Sequence, residues 1–202
     1  MHGHVYLIDD NDDIRRHLHD LLCRFGLSVD SYADAESFLA NSIELAPAVV
    51  VMDMLLPGDN GISAVERLRE AGFKTPVIFI SGQSEPQEII AAMKGGAVDF
   101  LWKPFSVAKL VDAVQKALAL DEQRISSQAR SMRISDLWGT LTQREQEICK
   151  LVLAGHGNSE ISRMLDVMPD TVKKHRARVM DKMGAVSLAQ LIQLFEGFEF
   201  PA

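Results

Sequence analysis

The 202-residue sequence has no long hydrophobic run, only two cysteines and no overall excess of positive charge. A membrane-spanning helix needs about 18–20 consecutive apolar residues, and the sequence contains no such stretch. No basic segment or cleavage site precedes the strand-like residues 5–8, so no secretory signal is expected. We therefore expect a cytoplasmic protein without a membrane partner, in which Cys23 and Cys149 are reduced, buried thiols.

The net charge of −7 is spread unevenly along the chain. Residues 1–119 contain ten Lys and Arg against seventeen Asp and Glu, whereas residues 139–202 contain eight of each kind. Within the second range, residues 169–183 contain five basic and two acidic side chains. Because a cluster of basic side chains favours binding to nucleic acid phosphates, the acidic average conceals a candidate DNA-binding segment.

Residues 1–119 alternate short apolar runs with amphipathic stretches, which predicts an α/β domain. The continuous apolar run at 48–52 is typical of a central strand that is buried on both faces. Five β-α units in succession predict a doubly wound, five-stranded parallel sheet with helices on both faces. The predicted strands are 5–8, 28–32, 48–52, 77–80 and 98–102, and the last predicted helix of the domain is 107–118.

Residues 120–138 are predominantly polar and contain neither proline nor glycine. They predict a helical linker that continues the preceding helix. Leu118, Ile125 and Met132 are spaced by seven residues, which is compatible with a weak coiled-coil seam. A solvated linker helix explains the same composition equally well, and both interpretations stay open at this stage.

Residues 139–202 show no strand pattern and predict a small all-α helix-turn-helix domain. Thr142 and Glu145 form a capping box at the start of the first predicted helix. A turn at 166–168 separates the second helix from a basic third helix that begins at Pro169. On this third helix, one face is apolar and the opposite face carries Lys173, Lys174, Ala177 and Arg178.

Polar residues stand where four of the predicted parallel strands end. Asp9 and Asp10 follow the first strand, Asp53 the third, Ser81 the fourth and Lys103 the fifth. In an open α/β sheet these positions converge at one edge. Converging carboxylates need a cation, and oxygen ligands select Mg²⁺ or Mn²⁺. A carboxylate between such an ion and a lysine is suited to attack a phosphoryl group.

Four motifs at these strand ends carry a resemblance to a known family over about residues 3–119. They are Ile8-Asp9-Asp10, Asp53-Met54-Leu55-Leu56-Pro57 followed by Gly61, Ser81-Gly82, and Phe100-Leu101-Trp102-Lys103-Pro104-Phe105. With these motifs the sequence resembles the response-regulator receiver family, which has a flavodoxin-like fold. The resemblance implies that Asp53 accepts phosphate from a histidine kinase. It also implies that Mg²⁺ is held by Asp10, Asp53 and the backbone carbonyl of Leu55, with Asp9 acting through water.

The same resemblance assigns a switch. Ser81 would move toward the phosphoryl group while the ring of Phe100 turns inward, and a cis peptide bond to Pro104 would aim Lys103. Such a protein catalyses only its own phosphorylation and dephosphorylation at Asp53, so we do not expect an enzyme. Two simpler interpretations remain, in which Phe100 is an ordinary core residue and the acids after the first strand only cap a helix.

The C-terminal segment, from about 139 to 196, resembles the LuxR/NarL-type DNA-binding domain, and the whole chain resembles a FixJ-type response regulator. The motifs are Leu141-Thr142-Gln143-Arg144-Glu145, Leu153-Ala154-Gly155-His156-Gly157-Asn158 and Thr171-Val172-Lys173-Lys174-His175-Arg176. The resemblance implies double-stranded DNA and RNA polymerase as partners. The candidate DNA contacts are Thr171, Lys173, Lys174, His175, Arg176, Ala177 and Arg178.

The predicted organisation is a receiver domain at 1–119, a helical linker at 120–138 and a helix-turn-helix domain at 139–202. We expect phosphorylation at Asp53 to produce a homodimer through residues 86–119, so that two DNA-binding domains engage two half-sites. Two alternatives are a receiver that works without phosphate as an interaction module, and a phosphate sink without transcriptional output. A haloacid-dehalogenase-type phosphatase is a further alternative, but it leaves Asp53 without a role.

Overall fold

The structure is a computed structural model that describes residues 2–41, 45, 47–56 and 59–200. Its strands are β1 (His4–Ile8), β2 (Ser28–Tyr32), β3 (Ala48–Asp53), β4 (Leu55–Leu56), β5 (Asp59–Asn60), β6 (Val77–Ser81) and β7 (Asp99–Trp102). Five of them form one parallel sheet in the order β2-β1-β3-β6-β7, while β4 and β5 pair antiparallel. The doubly wound sheet predicted from the sequence is confirmed, and each of its strands lies within one residue of the predicted range.

Helices cover both faces of this sheet. They are α1 (Asp12–Arg24), α2 (Ala35–Asn41), α3 (Gly61–Glu70), α4 (Pro86–Lys94) and α5 (Val107–Gly139). Successive residues of β3 alternate between two cores, because side chains along a strand point to opposite faces. Val49 and Val51 pack in the core that includes Leu22 of α1, whereas Val50 packs in the core that includes Phe38 of α2. The apolar run is therefore continuous because both of its faces are buried.

Helix α5 runs without a break to Gly139, so the helix predicted at 107–118 continues through residues 120–138, as their composition predicts. One compact unit of the chain extends to Ile125 and a second begins at Ser126. Leu118 is buried in a core of the first unit, while Met132 is 59% exposed. This burial leaves Leu118 unavailable for a coiled-coil seam. The separate linker at 120–138 stays a prediction.

Residues inside that predicted linker belong to the packing of both units. Asp121 is fully buried in the first unit, where its Oδ2 accepts a hydrogen bond from the backbone N–H of Ala48 at 2.9 Å. Arg124 donates to the other oxygen of Asp121 at 2.8 Å. In the second unit, Ile134 and Trp138 are buried members of the core. Composition alone could not show this, because residues 120–138 are predominantly polar as a whole.

Up to residue 200, where the described part of the chain ends, the second unit contains four further helices: α6 (Gln143–Leu153), α7 (Asn158–Leu165), α8 (Pro169–Lys182) and α9 (Leu188–Phe195). The predicted capping box is present, since Glu145 N–H donates to Thr142 Oγ1 and Thr142 N–H donates to Glu145 Oε2. Asp166 ends α7 in the left-handed conformation, with φ of 51°. An aspartate tolerates that conformation better than most residues. The tight turn between α7 and α8 therefore forms at the predicted place.

The expectation about the two thiols is wrong for one of them. Cys149 is fully buried, and burial raises the pKa of its thiol to about 12. Cys23 is exposed, because it lies beside the buried Leu22 and outside the face of α1 that packs on the sheet. Both cysteines are free. Among the described residues, no helix combines the length and the apolar character needed to cross a membrane.

Candidate functional site

Three carboxylates meet at the edge of the sheet where the parallel strands end. Asp9 follows β1, Asp53 ends β3, and one oxygen each of Asp9, Asp10 and Asp53 lies within 4.8 Å of the others. Asp9 and Asp53 are buried, whereas Asp10 is exposed. Closely spaced carboxylate oxygens are the donor set that a hard divalent cation prefers. The residues present therefore fit a magnesium or manganese ion.

Lys103 supplies a positive charge to this cluster from the end of β7. Its Nζ lies 2.5 Å from Asp53 Oδ2 and 2.8 Å from Asp9 Oδ2. Burial acts to lower the pKa of Lys103, but hydrogen bonds to Asp53 and Asp9 outweigh burial and hold the pKa above its usual value. Burial raises the pKa of Asp9, and the neighbouring lysine offsets part of that rise. The cis Lys103–Pro104 peptide bond expected from the resemblance is present.

Backbone amides fix the second oxygen of each buried carboxylate. Asn11 N–H donates to Asp9 Oδ1 and Leu55 N–H donates to Asp53 Oδ1, both at 2.9 Å. The side chain of Asn11 caps α1 by accepting from the N–H groups of Asp13 and Ile14. The helix cap is therefore Asn11, which removes capping as an explanation for the two acids before it. With both oxygens held, Asp53 has one defined orientation.

Gly61, the first residue of α3, lies against the end of β3, where there is no room for a side chain. A Cβ at this position would lie 2.7 Å from Cε1 of Phe79, 3.1 Å from Cα of Met54 and 3.2 Å from the carbonyl oxygen of Asp53. Such distances are shorter than van der Waals contact, so only glycine lets α3 approach the end of β3 this closely. Pro57, also part of the motif, lies outside the described residues.

The two residues expected to form the switch lie on adjacent strands, β6 and β7. Ser81 is fully buried at the end of β6, and its Oγ accepts hydrogen bonds from Ser84 Oγ at 2.7 Å and from Gln83 N–H at 3.2 Å. Phe100 is half-buried, and its ring centroid lies 5.2 Å from that of Trp102. Sequence reasoning missed Ser84; its only signal was a second hydroxyl three residues after Ser81.

Helix α8 has one buried face and one solvent face, as its sequence predicts. Val172, Val179 and Met183 are buried in the core of the second unit. The exposed side chains are Lys173, Lys174, Ala177 and Arg178, while Thr171, His175 and Arg176 are partly buried. A basic solvent face on the second helix of a helix-turn-helix is the arrangement that enters a DNA major groove.

Two basic side chains of α8 have protein partners that the sequence did not reveal. Arg176 donates to Oδ1 of Asn158, the first residue of α7, at 2.7 Å. Lys182 donates to Oε2 of buried Glu145 at 2.6 Å and to the carbonyl of Thr140 at 3.0 Å. Lys182 therefore counts toward the basic charge of residues 169–183, but its ammonium is paired within the domain. Net charge per segment cannot separate such residues from those facing solvent.

Comparison with known families covers both units. Residues 5–115 match the response regulator receiver domain, and residues 139–195 match the bacterial regulatory proteins of the luxR family. The chain belongs to the LuxR-family response regulators. LuxR-family response regulators of this two-part kind are phosphorylation-dependent, DNA-binding transcriptional regulators of two-component systems and are not enzymes that convert an external substrate.

Individual proteins similar to this LuxR-family response regulator match it along nearly its whole length. It is 35% identical to the transcriptional regulatory protein FixJ of Bradyrhizobium diazoefficiens, covering 95% of this chain and 94% of that protein. It is 34% identical to the response regulator protein TodT of Pseudomonas putida, covering 95% and 85%. The solved structure of response regulator StyR is 33% identical, covers 97% of this chain and 99% of that chain, and has a TM-score of 0.84.

Proposed function

We propose that Asp53 is the residue that a histidine kinase phosphorylates, and that its phosphorylation promotes dimerisation and promoter binding. The observation that carries this proposal is the ammonium of Lys103 shared between Asp53 and Asp9. Phosphoryl transfer requires a nucleophile beside positive charge that can balance the transferred oxygens. Asp53 is oriented by Leu55 N–H on one oxygen and meets Lys103 with the other.

The covalent step is a simple displacement. An oxygen of Asp53 forms a bond to phosphorus while the bond from phosphorus to the imidazole nitrogen of the donor breaks. Lys103 then donates to a phosphoryl oxygen, and Ser81 donates to another. Attack by water on phosphorus restores the carboxylate and releases inorganic phosphate. The chain thus catalyses only its own phosphorylation and dephosphorylation.

Mg²⁺, or Mn²⁺ in its place, is the proposed cofactor. Asp10, Asp53 and the backbone carbonyl of Leu55 would hold the ion directly, with Asp9 acting through water. When bound, the ion supplies positive charge that stabilises the transferred phosphoryl group. The three carboxylates, of which only Asp10 is exposed, carry more negative charge than Lys103 neutralises.

Phosphorylation is communicated through Ser81 and Phe100 to the surface formed by α4, β7 and the start of α5, within residues 86–119. Ile90 and Met93 on α4 are 55% and 44% exposed, and Trp102 on β7 is 49% exposed. Large apolar side chains on neighbouring elements suit a protein contact. Ser81 drawn toward the phosphoryl group leaves room for the ring of Phe100 to turn inward, which changes the packing of Trp102.

The proposed DNA-recognition helix is α8. Lys173, Lys174, Ala177 and Arg178 face solvent and form the proposed groove surface, with Thr171 and His175 beside it. Arg176 is held by Asn158 and contacts the phosphate backbone or orients α7 against α8. Because one small basic helix binds weakly, two copies brought together on adjacent half-sites raise the affinity. RNA polymerase is the proposed partner at the promoter.

Intact-mass measurement tests the acceptor. The full chain is incubated with acetyl phosphate and Mg²⁺, in parallel with Asp53→Asn and with Asp20→Asn, a matched control at an exposed aspartate of α1. We expect the wild type and Asp20→Asn to gain the mass of one phosphoryl group, and Asp53→Asn to gain none. Equal phosphorylation of Asp53→Asn would place the acceptor elsewhere. Size-exclusion chromatography of the same samples tests the homodimer.

A further inference from the structure

Ser81 is held in place by Ser84, a residue that takes no part in the proposed phosphoryl transfer. The Ser81 hydroxyl oxygen is fully buried and accepts two hydrogen bonds, from Ser84 Oγ at 2.7 Å and from Gln83 N–H at 3.2 Å. A serine oxygen has two acceptor lone pairs. Both are therefore used within the loop that follows β6.

Ser84 is itself fixed on two sides. Its Oγ lies 3.3 Å from Sδ of Met54, the buried residue that directly follows Asp53. One residue later, α4 begins with a capping box in which Glu85 N–H donates to Glu88 Oε2 at 2.8 Å. A hydroxyl has a single proton, and the oxygen of Ser81 is a stronger acceptor than a thioether. Ser84 therefore has a defined place from which to hold Ser81.

We propose that Ser84 is a positioning residue that stabilises Ser81 in its resting place and so opposes activation. This inference rests on the proposed phosphorylation of Asp53. A phosphoryl group on Asp53 draws the Ser81 hydroxyl toward it, and that movement breaks the hydrogen bond from Ser84. The bond exists only in the resting state, so its energy shifts the equilibrium between the two states.

Removal of the Ser84 hydroxyl makes activation easier by a predictable amount. One neutral hydrogen bond corresponds to a change of roughly two- to tenfold in an equilibrium constant. The bond from Gln83 N–H belongs to the backbone and persists in any variant at position 84. Ser84→Ala therefore shifts the equilibrium toward the activated state roughly two- to tenfold, without touching the acceptor or the metal-binding carboxylates.

Beryllofluoride with Mg²⁺ is the probe, because it occupies a phosphoryl-accepting carboxylate reversibly and gives an equilibrium constant. Titration of the full chain is followed by tryptophan fluorescence, since Trp102 packs against Phe100. We expect Ser84→Ala to bind beryllofluoride roughly two- to tenfold more tightly than the wild type. Ser84→Cys, which keeps the volume but lacks a strong donor, shows the same gain. Ser84→Thr, which keeps the hydroxyl, restores wild-type affinity.

A double-mutant cycle distinguishes this role from a general loosening of the loop. If Ser84 acts through Ser81, the gain from Ser84→Ala disappears in the Ser81→Ala background. Unchanged or weaker beryllofluoride affinity in Ser84→Ala overturns the inference, and so does an equal gain in both backgrounds. If the wild-type chain gives no response to beryllofluoride, the proposed phosphorylation of Asp53 is itself wrong. That outcome differs from an unchanged affinity in Ser84→Ala, which contradicts only the role of Ser84.

Discussion

Asp121 and Ala48 are joined by a hydrogen bond of 2.9 Å from a backbone amide to a buried carboxylate, although 73 residues separate them. Asp121 lies on α5 beyond the predicted end of the receiver, and Ala48 is the first residue of the central strand β3. Arg124 donates to the second oxygen of Asp121. The position of α5 at this point is therefore tied to the strand that ends at Asp53.

Replacement of Asp121 by alanine is expected to destabilise the first unit by about 2–3 kcal/mol, because the buried amide of Ala48 loses its acceptor and Arg124 loses its hydrogen bond to Asp121. Urea unfolding of the full chain measures the change. Glu122→Ala is the matched control, since Glu122 is the exposed neighbour on the same helix. Its effect should stay within about 0.5 kcal/mol. Equal losses in both variants would show that the buried carboxylate has no special role.

Lys103→Ala is expected to have opposite effects on metal binding and on phosphoryl transfer. Without the ammonium, Asp9 and Asp53 lack a counter-charge, so Mg²⁺ binds more tightly. Phosphorylation by acetyl phosphate slows, by roughly 10²-fold, because a donor to the transferred oxygens is lost. Isothermal titration with Mg²⁺ and the rate of mass gain measure the two effects. Lys109→Ala, an exposed lysine on α5, should change neither. Weaker Mg²⁺ binding in Lys103→Ala would show that Lys103 is not the counter-charge that competes with the ion.

The parallel sheet and the residues at its strand ends could be predicted because each depends on a short sequence signal. The apolar run at 48–52 defines the central strand, and Asp53 follows it at once. The placement of Asp121 has no such signal. A lone aspartate in a polar helical stretch looks like a solvated residue, and only the folded backbone brings Ala48 to it.

Acid is expected to weaken the second unit through Glu145. Hydrogen bonds from Lys182 and then from the backbone of Thr142 hold the pKa of the buried Glu145 below its usual value. A lowered pKa means that Glu145 adds stability above its unfolded-state pKa of about 4.3, and that this stability is lost as the pH falls through the lower folded-state pKa. Thermal unfolding from pH 7 to pH 3 measures this dependence.

Glu145→Gln separates that contribution from other acid effects. We expect this variant to lose about 1–3 kcal/mol near neutral pH, where Lys182 loses its charged partner, and to lack the corresponding part of the acid dependence. Glu147→Gln is the control, because its pair with Arg144 lies at the surface and contributes little. Identical acid profiles for wild type and Glu145→Gln would be incompatible with this role.

The surface of α8 gives a prediction about salt dependence. Arg178→Ala is expected to weaken binding to duplex DNA and to reduce the slope of log K against log salt by about one, as for one lost phosphate contact. Lys182→Ala removes the same charge but from a side chain bonded to Glu145 and Thr140. It should lower stability and leave the slope unchanged. Fluorescence anisotropy at several salt concentrations compares them, and equal slopes for both variants would refute the assignment.

In the DNA-binding unit, local features could be predicted from the sequence, but contacts between distant residues could not. The capping box of Thr142 and the turn before Pro169 were predictable because each is set by residues a few positions apart. The partners of Arg176 and Lys182 lie 18 and 37 residues away. Periodicity separated the buried face of α8 from its exposed face, but it could not tell which basic side chains are already bound within the domain.

Control of DNA binding by Asp53 is tested most directly by the DNA affinity of the full chain before and after phosphorylation. A duplex obtained by binding-site selection is titrated with the wild type and with Asp53→Asn, each with and without acetyl phosphate and Mg²⁺. We expect treatment to raise the affinity of the wild type roughly tenfold or more and to leave that of Asp53→Asn unchanged. Equal affinity of the treated and untreated wild type, or an equal rise in Asp53→Asn, would contradict this control of DNA binding.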